Sequence, residues 1–385
     1  MKLGGNCFSV RKGLLLILFI LSSFFIFNLR RSFRTYGLSA ELLRIVKGSP
    51  SQQQHTVHMR EPISPSKPLS SVSSSPYDVT FVSQGSLNRW GFMLEIAQMW
   101  EGPMSIVYYI APEQVAEFKH LYQTSSLRPN MKVNYVVQED PLLYPVNKLR
   151  NMAIAQVETT HFYLSDMDVW PSPSTYRAII TLPKSALEDD HLAIIVPAYQ
   201  IYMGKCSSFE NCTRMYHSLY PRTKQQLRSC LNKKACQTFR PGEHLHDYYR
   251  SDWFFTQSDL LDVSCLASDT QEPYVVVKRH PGLPRFNESF VNYAYNKVQW
   301  LEHLRYVGYR YSILSNGYSV DIPHPPSTYR QKFFKQLKET RIFPMYDTYY
   351  DFLRVLNQTV EKKEVLHLCK HAYLNPRRVY YSSKK

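Results

Sequence analysis

The sequence lacks a basic run interleaved with aromatic residues, although its 46 lysines and arginines outnumber its 31 aspartates and glutamates. The cations are dispersed along the chain, so the formal net charge of +15 does not form the stripe typical of a nucleic-acid-binding protein. An anionic nucleotide sugar, an acidic acceptor or an anionic membrane surface fits the excess charge better. The sequence also lacks an internal repeat, and one catalytic domain is the simplest count.

Closely spaced cysteine pairs of the zinc-binding kind are absent too. Five residues separate Cys206 from Cys212, and five separate Cys230 from Cys236, whereas zinc-binding pairs usually sit closer. With Cys265 and Cys369 the set is even, which favours disulfides, and six cysteines allow 15 connectivities. Three glycosylation sequons, which begin at Asn211, Asn287 and Asn357, agree with an oxidising lumen.

The apolar run from Leu14 to Phe27 is short for a membrane span, but its neighbours extend it to roughly the 17 residues that a span needs. No small-x-small cleavage site follows it, so we expect a retained transmembrane anchor at 13–29 behind a cytoplasmic tail at 1–12. A cleaved signal peptide is the alternative. Cys7 precedes the span, and we expect it to be reduced or lipidated. Basic residues on both sides leave the orientation open.

Residues 30–76 contain few large apolar side chains in their second half, which is rich in serine, proline and glutamine. We expect a flexible stem there, followed by one lumenal catalytic domain at 77–385. In that domain apolar strand patterns alternate with helical ones, which predicts an α/β fold with a mostly parallel central sheet. The predicted strands are Asp78–Val82, Ser105–Ala111, Lys132–Gln138, Thr160–Leu164, Ala193–Ala198, Pro273–Lys278 and Tyr311–Leu314, and the predicted helices are Trp90–Trp100, Glu113–Tyr122, Pro145–Val157 and Ala294–Tyr306.

Two aspartates, Asp166 and Asp168, follow the apolar strand predicted at Thr160–Leu164. Ligands of open α/β sheets bind at the carboxyl ends of strands. Carboxylates at i and i+2 can turn the same way there and hold Mg²⁺ or Mn²⁺ while leaving positions for diphosphate oxygens. A bare Asp-x-Asp more often caps a turn. Here a basic and amide-rich helix precedes the pair and Trp170 follows it, so the pattern predicts a metal-dependent site for sugar transfer.

From about Asp78 to Lys338 the chain resembles glycosyltransferase family 49. The resemblance rests on ordered motifs that include Trp100-Glu101-Gly102-Pro103, Tyr144-Pro145-Val146-Asn147, Leu164-Ser165-Asp166-Met167-Asp168, Val196-Pro197-Ala198, Glu272-Pro273-Tyr274, Asn296-Lys297 and Pro323-His324. It implies a single GT-A type nucleotide-sugar-binding domain, a UDP-sugar donor, Mn²⁺ and inversion at the anomeric carbon. It also implies a single-pass type II protein of the Golgi membrane.

The resemblance further implies roles for individual residues. Asp166 and Asp168 would hold the metal. Asn147, Arg150 and Asn151 would lie near the donor nucleotide sugar. Ser83 and Gln84, after the first strand, would lie near its uridine. The family usually has a histidine where Asp321 stands. An aspartate is a competent ligand for Mn²⁺ and His324 lies close in sequence, so either could complete the site.

The segment from Asn287 to Lys297 departs from the family pattern, which tends to have glycines at the positions of Asn292 and Ala294. Glu288 is the nearest acid for the general base that an inverting transfer requires, although a solvated loop residue is an equal alternative. Tyr293 and Tyr295 are the best candidates for contact with the acceptor. His244, His246 and Asp247 resemble a second metal site only superficially, and we expect none there.

Together these features predict a metal-dependent, inverting transferase that moves a sugar from a UDP donor to a hydroxyl of a glycan on a glycoprotein. Glucuronic acid is the first candidate for that sugar, and xylose, N-acetylglucosamine and galactose are alternatives. A glycan-binding relative without catalysis is a different class of protein that the altered residues allow. We expect no nucleic-acid partner. The sequence leaves the acceptor, the linkage and the oligomeric state open, and it allows a homo-oligomer.

Overall fold

The computed structural model describes residues 76–202, 204, 206–341 and 344–373. The predicted tail, membrane anchor and stem, up to residue 75, lie outside the described residues, as does Cys7. In the part of the chain that is described, no helix has the length and apolar character needed to cross a bilayer. The predictions for residues 1–75 therefore stay predictions.

The described residues form fourteen strands and ten α-helices. The strands are β1 Val79–Gly85, β2 Met104–Ile110, β3 Met131–Val137, β4 His161–Leu164, β5 Val169–Pro171, β6 Leu192–Ile195, β7 Ala198–Ile201, β8 Cys236–Thr238, β9 Leu260–Asp262, β10 Leu266–Ser268, β11 Val275–Lys278, β12 Arg310–Leu314, β13 Ser319–Asp321 and β14 Leu368–Tyr373. The helices are α1 Trp90–Met99, α2 Val115–Thr124, α3 Val146–Ala155, α4 Thr175–Ile180, α5 Lys184–Leu187, α6 Phe209–Leu219, α7 Lys224–Asn232, α8 Val298–Tyr306, α9 Thr328–Thr340 and α10 Tyr346–Thr359. Short 3₁₀ helices cover Leu87–Arg89, Pro112–Gln114 and Ser251–Phe254.

An eight-stranded sheet in the order β3-β2-β1-β4-β11-β6-β12-β9 forms the centre of the fold. Strands β3, β2, β1 and β4 pair in parallel, as the alternation of strands and helices predicts. The remaining half is mixed, because β11 runs antiparallel to β4 and β6, and β9 runs antiparallel to β12. The predicted α/β class is confirmed, and the central sheet has four parallel and three antiparallel strand pairings, where the sequence predicted a mostly parallel sheet.

A second sheet, in the order β5-β13-β7-β8, lies along the chain that follows β4. The sequence predicted one strand at Ala193–Ala198, but the chain forms two, β6 in the central sheet and β7 in the second sheet. Between them lie Val196 and Pro197, and Pro197 lacks the N–H that a continuous ladder would need. Asp321 on β13 pairs with Val169 on β5, which brings a distant part of the chain next to the predicted metal site.

The main core packs around the parallel strands. Trp100, Phe81 and Tyr163 form a buried aromatic cluster, with ring centroids 5.5–5.7 Å apart. Helix α3 is anchored beside the sheet because Ser105 on β2 donates a hydrogen bond to the carbonyl oxygen of Ala153, at 2.7 Å. The rigid sheet therefore fixes both α3 and the end of β4, from which the predicted site residues extend.

The six cysteines form three disulfides, as the even count predicts, and no described pair is left for zinc. The pairs are Cys206–Cys212, Cys230–Cys236 and Cys265–Cys369. The first two are local, whereas the third joins residues 104 positions apart beside the two-stranded sheet of β10 and β14. The sequence could not choose among the connectivities because the long-range pair depends on this strand pairing.

The described residues belong to two compact units. One unit contains all described residues up to Tyr350 and those from Val360 onward, including both large sheets. The other contains Asp351–Thr359, the C-terminal part of helix α10. Within that part Arg354 pairs with Asp351 at 3.2 Å, one helical turn away.

Candidate functional site

Asp166 and Asp168 lie where the sequence places them, directly after strand β4. This strand is central, since it pairs with β1 on one side and β11 on the other. The chain turns there, and the N–H of Val169 donates to the carbonyl oxygen of Asp166 at 3.1 Å. Both carboxylates therefore stand at the carboxyl end of the parallel strands, the usual ligand edge of such sheets.

The Asp166 carboxylate is held by three donors. Nη2 of Arg150 lies 3.2 Å from Oδ1, while Nζ of Lys297 and the hydroxyl of Tyr274 lie 2.8 Å and 3.0 Å from Oδ2. Burial acts to raise the pKa of Asp166, but Lys297 and Arg150 outweigh it and hold that pKa below its ordinary value. Asp166 is therefore ionised, with each oxygen paired to a protein cation.

Asp168 is compensated by different groups. Nε2 of His324 lies 2.8 Å from Oδ2 of Asp168, and Nη2 of Arg89 lies 3.9 Å from the same oxygen. Burial acts to raise the pKa of Asp168, but the hydrogen bond and charge of His324, with Arg89, lower it to about 2. The predicted closeness of His324 to the aspartate pair is thus present in the structure.

Asp321 reaches the site through the second sheet. Its strand β13 lies beside β5, and the next N–H, that of Ile322, donates to the carbonyl oxygen of Asp168 at 2.8 Å. Among the described residues no cationic side chain lies within 4.0 Å of the Asp321 carboxylate. Burial and the charge of Asp168 raise the pKa of Asp321 to about 7. Asp321 is therefore an acid with little local compensation beside two ionised ones.

The predicted uridine residues are buried within β1 itself and not in a loop after it, because the strand extends to Gly85. Ser83 is buried, and its hydroxyl has no hydrogen-bond partner among the described residues. The Gln84 side-chain carbonyl accepts a hydrogen bond from the hydroxyl of Tyr144. Both residues lie near the carboxyl end of the strand that neighbours β4, so the strand pairing brings them to the same edge as the aspartates.

Asn147 and Asn151 on helix α3 hold a segment of the chain in place. The Asn147 amide donates to the carbonyl oxygens of Asn287 and Asn296, at 2.9 Å and 3.0 Å. The Asn151 amide exchanges two hydrogen bonds with the backbone of Phe286, at 2.9 Å and 3.1 Å. Of the three polar residues predicted on this helix, Arg150 alone contacts an aspartate of the site, and the two asparagines position the segment beside it.

Glu288 lies in that segment, away from the aspartate pair. Its Oε1 accepts a hydrogen bond from the Asn151 amide at 2.8 Å and lies 3.7 Å from Nη2 of Arg285. Its side chain is 41% exposed. Tyr295, predicted to meet the acceptor, is instead buried and stacks on Tyr349 with ring centroids 4.4 Å apart. Tyr293 is half-buried and its hydroxyl lies 3.0 Å from that of Ser327.

One predicted glycosylation site is not available in the folded chain. Asn287 is buried, and its side-chain oxygen accepts a hydrogen bond from the N–H of Ser289 at 2.9 Å. A glycan attached to this side chain would have no space. Of the other two acceptors, Asn357 is exposed and Asn211 half-buried.

Several site residues were missed by the sequence reasoning. Arg89, Tyr274 and Lys297 contact the aspartates, and Oε2 of Glu272 lies 3.8 Å from Nζ of Lys297. Tyr274, Lys297 and Glu272 stand in motifs that carry the family resemblance, but nothing in a single sequence assigned them to the aspartates. The signal that could have identified them was their position as polar residues inside these motifs.

The described residues do not contain three or more histidine, cysteine or acidic side chains arranged as a finished metal site. His244 pairs with Asp247 at 2.6 Å, and His246 is buried. The four predicted metal residues are nevertheless connected: His324 contacts Asp168, and β13 brings Asp321 alongside the same turn. The assembly is thus an acidic cluster that protein cations partly compensate.

This arrangement defines an α/β protein with an acidic, cation-ringed site at the carboxyl edge of its sheet. Residues 118–324 match the family model described as glycosyl-transferase for dystroglycan, which covers more than half of the chain. The chain belongs to this family, glycosyltransferase family 49, as the sequence motifs predict.

Proteins similar to this chain include two named xylosyl- and glucuronyltransferases. The mouse (Mus musculus) protein LARGE2 is 32% identical over 289 residues, which are 72% of this chain and 38% of that protein. The human (Homo sapiens) protein LARGE1 is 30% identical over 271 residues, 69% of this chain and 34% of that protein. This chain thus spans little more than a third of the length of the relatives it matches.

Two solved structures are similar to this chain at a low level. The first is S. aureus TarS 1-349 in complex with UDP-GlcNAc, with 12% identity, a TM-score of 0.40 and coverage of 73% of both chains. The second is GalNAc-T7 with UDP, GalNAc and Mn²⁺, with 9% identity, a TM-score of 0.40 and coverage of 74% of this chain and 57% of that one. Likenesses this distant identify neither a ligand nor a reaction.

Proposed function

We propose that this chain is a metal-dependent glycosyltransferase that moves a sugar from a UDP donor to a hydroxyl of a glycan on a glycoprotein. Family membership supports the reaction class. The observation that carries the site assignment is the meeting of Asp166 and Asp168, at the end of β4, with His324 and Asp321 from the distant strand β13. The proposed fold type is GT-A, and the proposed stereochemistry is inversion. Glucuronic acid is the first candidate sugar.

The chemistry of the acidic cluster fits a divalent cation such as Mn²⁺ or Mg²⁺. Carboxylate oxygens are hard ligands that suit both ions. The raised pKa of Asp321 shows an acid whose charge the described residues do not fully compensate. Asp166, Asp168, Asp321 and His324 would hold the ion, which would neutralise charge on the leaving UDP.

The protein's own cations have a second task in this proposal. Arg150 and Lys297 on Asp166, and Arg89 beside Asp168, would bind the donor diphosphate because they already face the acidic cluster. Ser83 and Gln84 at the end of β1 would lie near the uridine. The Ser83 hydroxyl is buried without a described partner, so its hydrogen-bonding capacity is unused.

Glu288 is the proposed general base. An inverting displacement transfers the proton of the acceptor hydroxyl to a carboxylate while the sugar moves to the acceptor oxygen. Glu288 is 41% exposed and can meet an acceptor, and Asn151 holds its Oε1 at 2.8 Å. Glu272 shares Lys297 with Asp166, but its side chain is more buried than that of Glu288. Tyr293 is the proposed contact for the acceptor.

The proposal also includes a cellular setting. An anchor at 13–29, a stem at 30–76 and a lumenal domain at 77–385 would make this a type II protein of the Golgi membrane. Three disulfides and the exposed sequon at Asn357 support an oxidising lumen. The acceptor glycoprotein is the proposed partner, no nucleic acid is expected, and self-association into a homo-oligomer is allowed.

The test is release of UDP by the full chain in detergent across a panel of UDP-sugars with a mixed glycan acceptor, in Mn²⁺ or EDTA. Metal-dependent turnover of one donor supports the proposal and names the sugar. Asp166→Ala and Asp168→Ala should each abolish turnover, whereas Asp252→Ala, which removes an exposed partner of Arg250, should not. Silence across the panel, with glycan binding that persists in EDTA, would favour the glycan-binding alternative.

A further inference from the structure

Arg240 follows strand β8, and among the described residues its guanidinium has one distant acidic partner. Oε2 of Glu243 lies 3.8 Å from its Nη1, which is beyond hydrogen-bond distance. Within the described ranges the guanidinium makes no hydrogen bond to any residue. The side chain is 42% exposed, so a ligand can reach its donors.

The backbone of Arg240 is tied to the acidic cluster through the second sheet. Its N–H donates to Oε1 of Gln200 at 2.8 Å. Gln200 on β7 pairs with Asp321 on β13, and Asp321 pairs with Val169, the residue after Asp168. Neighbouring strands lie about 4.8 Å apart, so Arg240, beside β8, starts three strand spacings beyond Val169 and roughly two beyond Asp321. An arginine side chain is long enough to span much of that distance.

Two aromatic rings lie between the Arg240 side chain and the cluster. Its guanidinium lies over the ring of Phe239, 5.0 Å from the centroid, and the Phe239 ring is 6.1 Å from that of Tyr274. Tyr274 in turn donates to Asp166 at 3.0 Å. Burial acts to lower the pKa of Arg240, but the nearby groups of Tyr274 and Asp321, with Glu272, raise it. A chain of contacts therefore connects this guanidinium with the site.

The cations proposed to bind the donor diphosphate lie on another side of the cluster. Arg150 and Lys297 meet Asp166 from helix α3 and from the residue before α8, and Arg89 meets Asp168 from the segment after β1. Arg240 approaches instead from the far edge of the second sheet, beyond Asp321. A group attached to the diphosphate, such as the transferred sugar, is what can extend to that side.

We infer that Arg240 binds the carboxylate of a uronic acid in the donor nucleotide sugar, and that it thereby selects an acidic over a neutral sugar. A guanidinium presents a planar fork of donors that matches the two oxygens of a carboxylate. This inference rests on the proposed function, since it concerns the donor of the same transferase.

The test compares the affinity of UDP-glucuronic acid, UDP-glucose and UDP for the full chain in detergent with Mn²⁺, by calorimetry. The first two ligands differ only by a carboxylate in place of a hydroxymethyl group. Arg240→Gln should weaken UDP-glucuronic acid roughly 10- to 100-fold, the loss expected for a hydrogen bond to a charged group, and leave UDP-glucose and UDP unchanged. Arg240→Lys should recover part of the loss because it restores charge without the fork.

Arg250→Gln is the matched control, because Arg250 lies nearby in sequence, is 43% exposed and pairs with Asp252 at 2.6 Å. It should change none of the three affinities. An equal loss for all three ligands in Arg240→Gln would show diphosphate binding and overturn the inference. Equal affinity of the wild type for the acidic and neutral sugars would also overturn it, while the transferase proposal would stand. Absence of UDP binding by the wild type in Mn²⁺ would instead refute the proposed function.

Discussion

Lys297 compensates Asp166 from inside the protein, so its removal should cost stability. The Lys297 side chain is only 7% exposed, and its Nζ lies 2.8 Å from Oδ2 of Asp166 and 4.1 Å from the centroid of the Tyr274 ring. Removal of one partner from a buried ion pair costs about 3–5 kcal/mol, because the other charge stays buried. Arg150 remains 3.2 Å from the same carboxylate, which should reduce the cost. We expect Lys297→Met to lose about 2–3 kcal/mol.

The assay is urea unfolding of the full chain, with disulfides intact and in EDTA, for the wild type, Lys297→Met, Asp166→Asn and the double variant. If the pair is coupled as the structure indicates, the double variant loses about 2 kcal/mol less than the sum of the single losses. Lys278→Met is the control, since Lys278 pairs with Asp190 at 2.7 Å but is more exposed. It should cost at most about 1 kcal/mol.

Mn²⁺ provides a second readout of the same pair. In Lys297→Met the Asp166 carboxylate has lost a competing cation, so an added divalent ion should bind the folded variant more tightly. By linkage, Mn²⁺ should then stabilise Lys297→Met by more than it stabilises the wild type. A loss below about 0.5 kcal/mol in EDTA, or additive effects in the double variant, would refute the reasoning about the buried pair. Equal Mn²⁺ stabilisation of both proteins would refute the metal role of Asp166.

Three further predictions concern stability. Burial, with the charge of Lys278, lowers the pKa of His161 in the folded chain to about 4. In the unfolded chain the pKa of this histidine is near 6.5, so between these two values the unfolded state binds one proton more than the folded state. The free energy of unfolding is therefore unaffected by His161 above pH 6.5 and falls by about 3 kcal/mol as the pH is lowered to 4. Unfolding titrations should show a shallower decline over that window in His161→Gln, and an unchanged slope would contradict it. Replacement of both Cys265 and Cys369 by serine should lower the free energy of unfolding by about 4–5 kcal/mol, and replacement of both Cys206 and Cys212 by about 2 kcal/mol. The difference arises because the first disulfide joins residues 104 positions apart and the second joins residues only 6 apart. Ala294 has φ 79°, so Ala294→Gly should stabilise the chain by about 1 kcal/mol in the same assay, whereas a loss would show that the methyl group packs usefully.

The parallel half of the sheet could be predicted from the sequence because each element carries its own periodicity. The strands and the intervening helices before Asp166 are indicated by their own apolar patterns, and the structure has them within a few residues of the predicted bounds. The insertion of β11 between β4 and β6 could not be predicted this way. Three consecutive valines, Val275–Val277, indicate a buried strand but carry no information about its direction or its neighbours.

The same distinction applies to the site. Asp166 and Asp168 were predictable because they follow their strand directly in sequence, whereas their partners are non-local. Lys297 reaches Asp166 from 131 residues away. Ser83 and Gln84 were placed after the first strand, because its predicted range ends at Val82. The ladder to β2 instead continues through Gly85, since neighbouring strands satisfy the backbone there.

The charges of the assembled site suggest why metal and donor should enter together. Four carboxylates, those of Asp166, Asp168, Asp321 and Glu272, face four guanidinium or ammonium groups, which are Arg89, Arg150, Arg240 and Lys297. A dication by itself adds positive charge to this set and a nucleotide diphosphate by itself adds negative charge, so either one alone shifts the charge balance of the site. Bound together they keep the balance. Binding free energies are reciprocal, so Mn²⁺ should tighten UDP by the same factor by which UDP tightens Mn²⁺. Independent binding of the two would mean that the ion does not bind at this cluster.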